Sequence, residues 1–220
     1  MRHVWITGAG RGIGAAVAHA FAKEGAALSL SGRNLQTLEA QAAELRKAYP
    51  HVKLHLSSMD LSDANSVMAA HRSNHSALGP VTILVNNAGQ ALSQPFAKTD
   101  LQLWQHMLNV NLTGTYLCIQ AVLPDLLSES AKGQAARIVN IASTASFQPV
   151  PGMAVYGATK AFVRSFTEAV WGELRGTNVR VLAVSPGATE SEFFLVAGGK
   201  SPGKPMPATA VVETMFAALD

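Results

Sequence analysis

Short apolar and β-branched runs alternate along this chain with longer stretches whose apolar residues recur at helical spacing. Strands are predicted over residues 3–7, 27–31, 52–56, 81–85, 136–141 and 179–184. Helices are predicted over 13–23, 35–48, 63–77, 100–127, 154–175 and 208–219. Such alternation implies an α/β fold, a doubly wound parallel sheet with helices on both faces and right-handed crossovers. No long linker or internal repeat divides residues 1–220, so one domain is expected. Asp100 is placed to cap the long helix, and Pro124 is expected to end or bend it. Residues 189–207 are rich in Gly and Pro, with Phe193, Phe194 and Leu195 near one end, and read as a mobile loop.

Two patterns carry candidate chemistry. The first strand runs into Gly8-Ala9-Gly10-Arg11-Gly12-Ile13-Gly14, followed by an alanine-rich helix. Glycines at a strand-to-helix turn let backbone N–H groups approach a pyrophosphate at the positive end of the helix dipole. The spacing of Gly8, Gly12 and Gly14 differs from G-x-G-x-x-G. Further on, Tyr156 and Lys160 stand four residues apart, on one helix face, with Ser143 thirteen residues before the tyrosine. A nearby ammonium favours phenolate, so the Tyr156 pKa is expected to fall below its usual value of about 10. Such an acid exchanges a proton with a carbonyl or alcohol oxygen that a serine hydroxyl holds in place.

With these pieces together the chain resembles the short-chain dehydrogenase/reductase family. The matching residues are Thr7-Gly8-x-x-x-Gly12-Ile13-Gly14, Asp60-Leu61, Asn86-Asn87-Ala88-Gly89, Asn109-Val110-Asn111, Ser143, Tyr156-x-x-x-Lys160 and Pro186-Gly187. They keep the family's order and span nearly the whole chain. The resemblance implies a Rossmann-like sheet of six strands, the usual seventh being absent because the chain stops at residues 217–220. It implies hydride transfer between a nicotinamide dinucleotide and a ketone, aldehyde or secondary alcohol. Tyr156 would be the general acid or base, Lys160 its electrostatic partner and a ribose contact, and Ser143 the group that orients the substrate oxygen. Asn111 would support a water that links Lys160 to solvent. The turn Gly8, Gly10, Arg11, Gly12, Ile13 and Gly14 would hold the cofactor. So would Asp60 and Leu61 at the adenine, Asn87 and Ala88 at the adenosine ribose, and Gly89 by close backbone approach. Pro186 and Gly187 would lie beside the nicotinamide, with Thr189 and Ser191 following. Loop 189–207 would cover the substrate, and a homodimer or homotetramer would be the assembly.

An NAD site usually places a carboxylate at the end of the second strand. Here that strand ends Ser29-Leu30-Ser31-Gly32-Arg33, without an acid. Arg33, helped by Arg11, would meet a 2′-phosphate through charge-assisted hydrogen bonds, so NADP(H) is the expected cofactor. The alternative is a catalytically silent NADP(H)-binding sensor or scaffold on the same fold. That reading expects damage to the Ser/Tyr/Lys set, and all three residues are present. A sugar-nucleotide epimerase or dehydratase would need a larger segment after Pro186.

Composition changes this picture little. Of 220 residues 48% are hydrophobic and 14% charged, which excludes a disordered chain. The formal charge is +3 with dispersed Lys and Arg, and the stretch from Lys200 to Lys204 is too short for nucleic acid. One cysteine, Cys118, fits a reducing compartment, and neither a leader nor a membrane span is read, so a cytoplasmic protein is expected. His71 and His75 share a metal-pair spacing, but with no third ligand in view they read as solvated, and no metal is expected. His51 and His55 read as surface, and Trp104 and Met107 as packing on the long helix.

Overall fold

A computed structural model describes residues 2–191, 193–199 and 203–219, with Phe194 and Leu195 described by their backbone alone. Six strands, β1 (His3–Thr7), β2 (Ala27–Gly32), β3 (Leu54–Ser58), β4 (Ile83–Asn86), β5 (Ala136–Ile141) and β6 (Val179–Val184), form one open sheet. Their order is β3-β2-β1-β4-β5-β6, and every neighbouring pair is parallel. The helices are α1 (Gly12–Lys23), α2 (Leu35–Ala48), α3 (Ala64–Leu78), α4 (Leu101–Leu108), α5 (Gly114–Ala131), α6 (Ala154–Glu173), α7 (Phe193–Val196) and α8 (Ala208–Leu219). This is the expected Rossmann-like architecture. β3 and β4 each begin two residues later than the apolar pattern predicts.

The two-residue period of a strand sends its side chains to both faces. Val4, Ile6, Ile83, Val85 and Val139 enter a core with Val17, Phe21, Leu38, Leu45 and Met215 from α1, α2 and α8. Trp5, Leu84 and Ile138 enter the other, with Val67, Cys118, Val122 and Leu126 from α3 and α5. Fully burying one large apolar side chain contributes about 1.5–3 kcal/mol. Sheet burial on both sides explains why the central strands read as unbroken apolar runs.

The predicted helix 100–127 is not one helix. Asp100 caps α4, accepting from Leu103 N–H at 2.8 Å. A π-helical turn, Asn109–Thr113, separates α4 from α5. Pro124 does not end α5, which runs on to Ala131. The bond that Pro124 removes is the one to Gln120, and both residues are exposed, so losing it does not bury an unpaired carbonyl. Within 189–207, expected as loop, α7 makes a helical turn, and Ala197 carbonyl accepts from Ser93 N–H at 2.8 Å. Glu192, residues 200–202 and the side chains of Phe194 and Leu195 lie outside the described residues.

Several polar groups inside the sheet are paired. Trp5 Nε1 donates to Ser31 Oγ at 2.7 Å, and Ser31 shares a 2.6 Å hydrogen bond with Ser57. His71 and His75, expected as solvated, both face Asp125, at 3.3 and 3.6 Å. Asp125 also accepts from Val81 N–H at 3.0 Å. His55, expected at the surface, is half-buried and bonded to Ser73 Oγ at 2.8 Å. Met107 is buried, whereas Trp104 is 38% exposed.

His3, the first residue of β1, is buried with both ring nitrogens engaged: Nδ1 with Gly79 carbonyl at 2.8 Å, Nε2 with Ser29 Oγ at 2.8 Å. A carbonyl only accepts, so Nδ1 carries the hydrogen and Nε2 accepts from the serine. Burial pulls the His3 pKa below 6.5. The unfolded chain then takes up this proton first, and stability falls as pH drops below about 6.5. Urea unfolding from pH 7 to 5 should show a steeper loss in the natural protein than in His3→Gln. Parallel curves would contradict a buried neutral imidazole.

Candidate active site

β1 sits between β2 and β4, where the strand order reverses, and the segments leaving the carboxyl ends of these strands part to leave a crevice. The cleft there encloses about 820 Å³. Its lining includes Gly8, Gly10, Arg11, Gly12 and Ile13 of the glycine turn, Arg33, Asp60, Leu61, Asn87–Gly89, Ser143, Tyr156, Lys160, Pro186, Gly187, Thr189 and Ser191. Of the other sequence-predicted residues, Gly14 packs behind the turn against Gly8, and Asn111 bonds to Gln90 of the lining.

The turn is shaped for close approach. Gly8 has φ +65°, a left-handed value that suits glycine. A Cβ on Gly14 would stand 2.3 Å from Gly8 carbonyl oxygen. Asn87 Nδ2 donates to the carbonyls of Thr7 and Gly8 at 3.0 and 3.1 Å, and so braces the turn against the end of β4. Thr7 Oγ1 accepts from the N–H groups of Asn87 and Ala88, both at 3.0 Å. Thr7 belongs to the motif but was not singled out as a site residue, because only its neighbours suggested a ligand. No side chain caps the start of α1, so its first N–H groups face the cleft.

At the other end, Ser143 follows β5 and accepts from Ala145 N–H at 3.1 Å. Thr144 N–H donates to Pro186 carbonyl at 3.0 Å, which joins the serine segment to the exit of β6. Tyr156 and Lys160 project from the first turns of α6, and both are buried. Lys160 Nζ donates to Ile141 carbonyl at 2.6 Å and lies 5.9 Å from the centre of the Tyr156 ring. Asn111, in the π-turn, has Oδ1 accepting from Gln90 N–H at 2.8 Å, while Nδ2 donates to Gln90 carbonyl at 2.8 Å and Thr159 Oγ1 at 2.9 Å. A Cβ on Gly89 would lie 3.4 Å from Asn111 Oδ1 and 3.5 Å from Lys160 Nζ. Beside the tyrosine is an apolar wall of Ala91, Leu92, Val150, Met153 and Phe193, with ring centres of Tyr156 and Phe193 5.4 Å apart.

Electrostatics overturns one expectation. The Tyr156 pKa is raised rather than lowered: burial dominates, and a hydrogen bond with Ser143 only partly opposes it. Burial also pulls Lys160 down, to about 8. Asp60 lies below the usual carboxylate range because Ser62 donates to it twice, at 2.7 and 2.8 Å, with smaller help from the charge of Arg33.

Thr189 is buried, its Oγ1 donating to Gly187 carbonyl at 3.0 Å, and Ser191 Oγ donates to Thr189 carbonyl at 3.4 Å. A Cβ on Gly12 would lie 3.1 Å from Ser191 Cβ, so this serine stands over the glycine turn. Residues that the sequence did not suggest also line the cleft, among them Thr37, which a Cβ on Gly10 would meet at 3.2 Å, Gln148, and Gln90 beyond Gly89. None belongs to a recognisable spacing.

The short chain dehydrogenase family model matches residues 2–197. The chain belongs to that family. Sulfoacetaldehyde reductase of Chromohalobacter salexigens is 42% identical over 197 residues, 89% of this chain and 76% of that protein. A short-chain dehydrogenase from Sphingobium yanoikuyae in complex with NADPH superimposes with TM-score 0.91 at 32% identity, covering 100% of this chain and 84% of that one. The 3-ketoacyl-(acyl-carrier-protein) reductase from Brucella melitensis complexed with NADH gives TM-score 0.91 at 31% identity, over 100% and 90%. Among the described residues no helix is long and apolar enough to cross a membrane, and no group of three His, Cys, Asp or Glu is arranged to hold a metal ion.

In this short-chain dehydrogenase the buried Lys160 carries a titratable strain. The folded protein releases the Lys160 proton near pH 8, the unfolded chain near 10.5. Between these values the unfolded state holds the extra proton, so stability rises with pH. Relative to Lys160→Met, the natural protein should gain ~1–2 kcal/mol from about pH 7.5 to about pH 9.5 in urea unfolding. A pH-independent difference would show that Lys160 titrates as an exposed lysine does.

Proposed function

We propose that this protein is an NADPH-dependent short-chain reductase that transfers hydride between the nicotinamide and a ketone, aldehyde or secondary alcohol. The observation that carries the reading is the meeting of Ser143, Tyr156 and Lys160 at the end of a glycine-floored crevice, beside an apolar wall. The crevice fits a dinucleotide. Gly8 and Gly14 leave no room for a side chain where a pyrophosphate would approach, and α1 has no side-chain cap. Gly8, Gly10, Arg11, Gly12, Ile13 and Gly14 would hold the pyrophosphate, and Asp60, Leu61, Asn87, Ala88 and Gly89 the adenosine. Tyr156, Lys160, Pro186, Gly187, Thr189 and Ser191 would hold the nicotinamide half. When bound, the cofactor supplies or accepts the hydride.

The protein's own residues then manage the oxygen and its proton. The raised pKa keeps Tyr156 protonated at neutral pH, which suits it to donate to a carbonyl oxygen as negative charge grows there. Ser143, bonded to the same phenol, orients that oxygen. Lys160, largely cationic at pH 7, faces the phenolate left behind. Its Nζ is anchored on Ile141 carbonyl, so the charge is placed before reaction. Asn111 is buried and keeps Gln90 and Thr159 together, and thus fixes the distance between Gly89 and Lys160. Residues 1–220 act as one domain, with segment 189–207 closing over the substrate.

Cofactor choice rests on this chain's own charges, since the solved relatives include both an NADPH and an NADH complex. β2 ends at Gly32, and Arg33 follows where an NAD site usually has a carboxylate. Arg33 and Arg11 are exposed at the cleft mouth, where a 2′-phosphate would meet them.

Substituting Tyr156→Phe should lower kcat by roughly 10²–10⁴ while NADPH binding stays within a few-fold. Near-normal kcat would remove the tyrosine from the acid role and favour the silent sensor. In a carbonyl panel followed by NADPH absorbance, kcat/KM should favour NADPH over NADH by roughly 10–100-fold, and Arg33→Asp should reverse or abolish that preference. A preference for NADH in the natural protein would overturn the cofactor assignment.

A further inference from the structure

Arg33 leaves the end of β2 and Gln90 lies beyond the end of β4, with β1 between these strands in the sheet. A contact between the two side chains must therefore cross the crevice. They do meet. With the Gln90 amide turned so that its oxygen faces the guanidinium, that oxygen accepts from both terminal nitrogens of Arg33 at 3.1 Å. In the same orientation the amide nitrogen donates to His106 Nε2 at 3.0 Å. The alternative orientation would set N–H groups against N–H groups at Arg33, so the two neighbours fix the amide together. Gln90 itself is held by its backbone, whose N–H and carbonyl both bond to the Asn111 amide at 2.8 Å. Both Arg33 and Gln90 line the cleft, with Asp60 and Ala88.

We propose that Arg33 and Gln90 form a strap across the dinucleotide crevice, which must open for the cofactor to bind. The inference rests on the dinucleotide reading above. The N–H groups that would serve a 2′-phosphate are committed to Gln90 in the free protein. Binding exchanges one acceptor for another. A closed strap lowers the apparent affinity for every dinucleotide by the same factor, the fraction of molecules that stand open. A 2′-phosphate then gives Arg33 a new partner, and NADH does not. The two residues consequently do different things: Gln90 sets the absolute affinity, and Arg33 sets the discrimination between cofactors.

Equilibrium binding of NADPH and NADH, followed by nicotinamide fluorescence without substrate, separates these effects. Gln90→Ala keeps both backbone bonds to Asn111 and should tighten both cofactors about 3–10-fold, leaving their ratio unchanged. Gln90→Glu should hold Arg33 more firmly and weaken both. Arg33→Ala should tighten NADH and weaken NADPH. If Gln90→Ala weakens NADPH or leaves its affinity unaltered, Gln90 is a cofactor contact or a bystander, and the strap is wrong while the cofactor assignment stands. If the natural protein binds neither dinucleotide, the cofactor assignment fails and the strap with it.

Discussion

The side-chain amide of Asn111 bonds to both backbone groups of Gln90 and to the hydroxyl of Thr159, and it is 2% exposed. Through it the segment leaving β4, the π-turn and the first turns of α6 are held in one register. Lys160 is the residue after Thr159, and Gly89 the one before Gln90. A buried amide with its hydrogen bonds made is stable, and one that loses a partner is left with an uncompensated polar group, so small displacements are resisted. The π-turn allows this arrangement. It carries the buried Asn111, and Gly114 after it packs so closely that a Cβ would stand 2.7 Å from Leu61 Cβ.

Burial does two opposing things at this site. It holds Tyr156 as a phenol, ready to give a proton, and it disfavours the charge on Lys160. Both shifts come first from desolvation rather than from the neighbouring charge. A lysine whose charge is disfavoured by burial responds strongly to any negative charge that appears beside it. In the proposed reaction, the phenolate left after proton donation would be such a charge. On that reading the site is least comfortable before reaction and better satisfied as the proton leaves, which is the direction a catalyst needs.

Much of the fold was legible because strand and helix differ in period, and because strands buried on both faces read as unbroken apolar runs. The glycine turn, Ser143 and the Tyr156–Lys160 pair were legible because they occur together in the order of the family's motifs, which no single spacing would have shown. Three things were not. The π-turn inserts only a slight change of winding into 100–127, where apolar residues keep recurring, so no break in pattern marks it. Pro124 suggested an end that its solvent-facing position does not require. The direction of the Tyr156 shift depends on depth, and a four-residue spacing reports proximity without reporting burial. Gln90 illustrates the same limit: its importance lies in what stands across the crevice, and Arg33 is remote from it in sequence.

The two ends of the crevice are built on different principles. At the reacting end Ser143, Tyr156, Lys160 and Asn111 are tied to backbone groups or to each other, and three of the four are buried. A substitution there disturbs packing, hydrogen bonding and charge together, and those effects do not separate. At the adenosine end Arg11 and Arg33 are exposed, and the contact of Arg33 with Gln90 is between side chains alone. Exposed side chains change with little effect on stability. On the proposed reading, the fold leaves cofactor preference free to vary while it holds the proton-transfer geometry fixed. Relatives of similar backbone with NADPH in one and NADH in another accord with that division, because the difference requires no movement of the sheet.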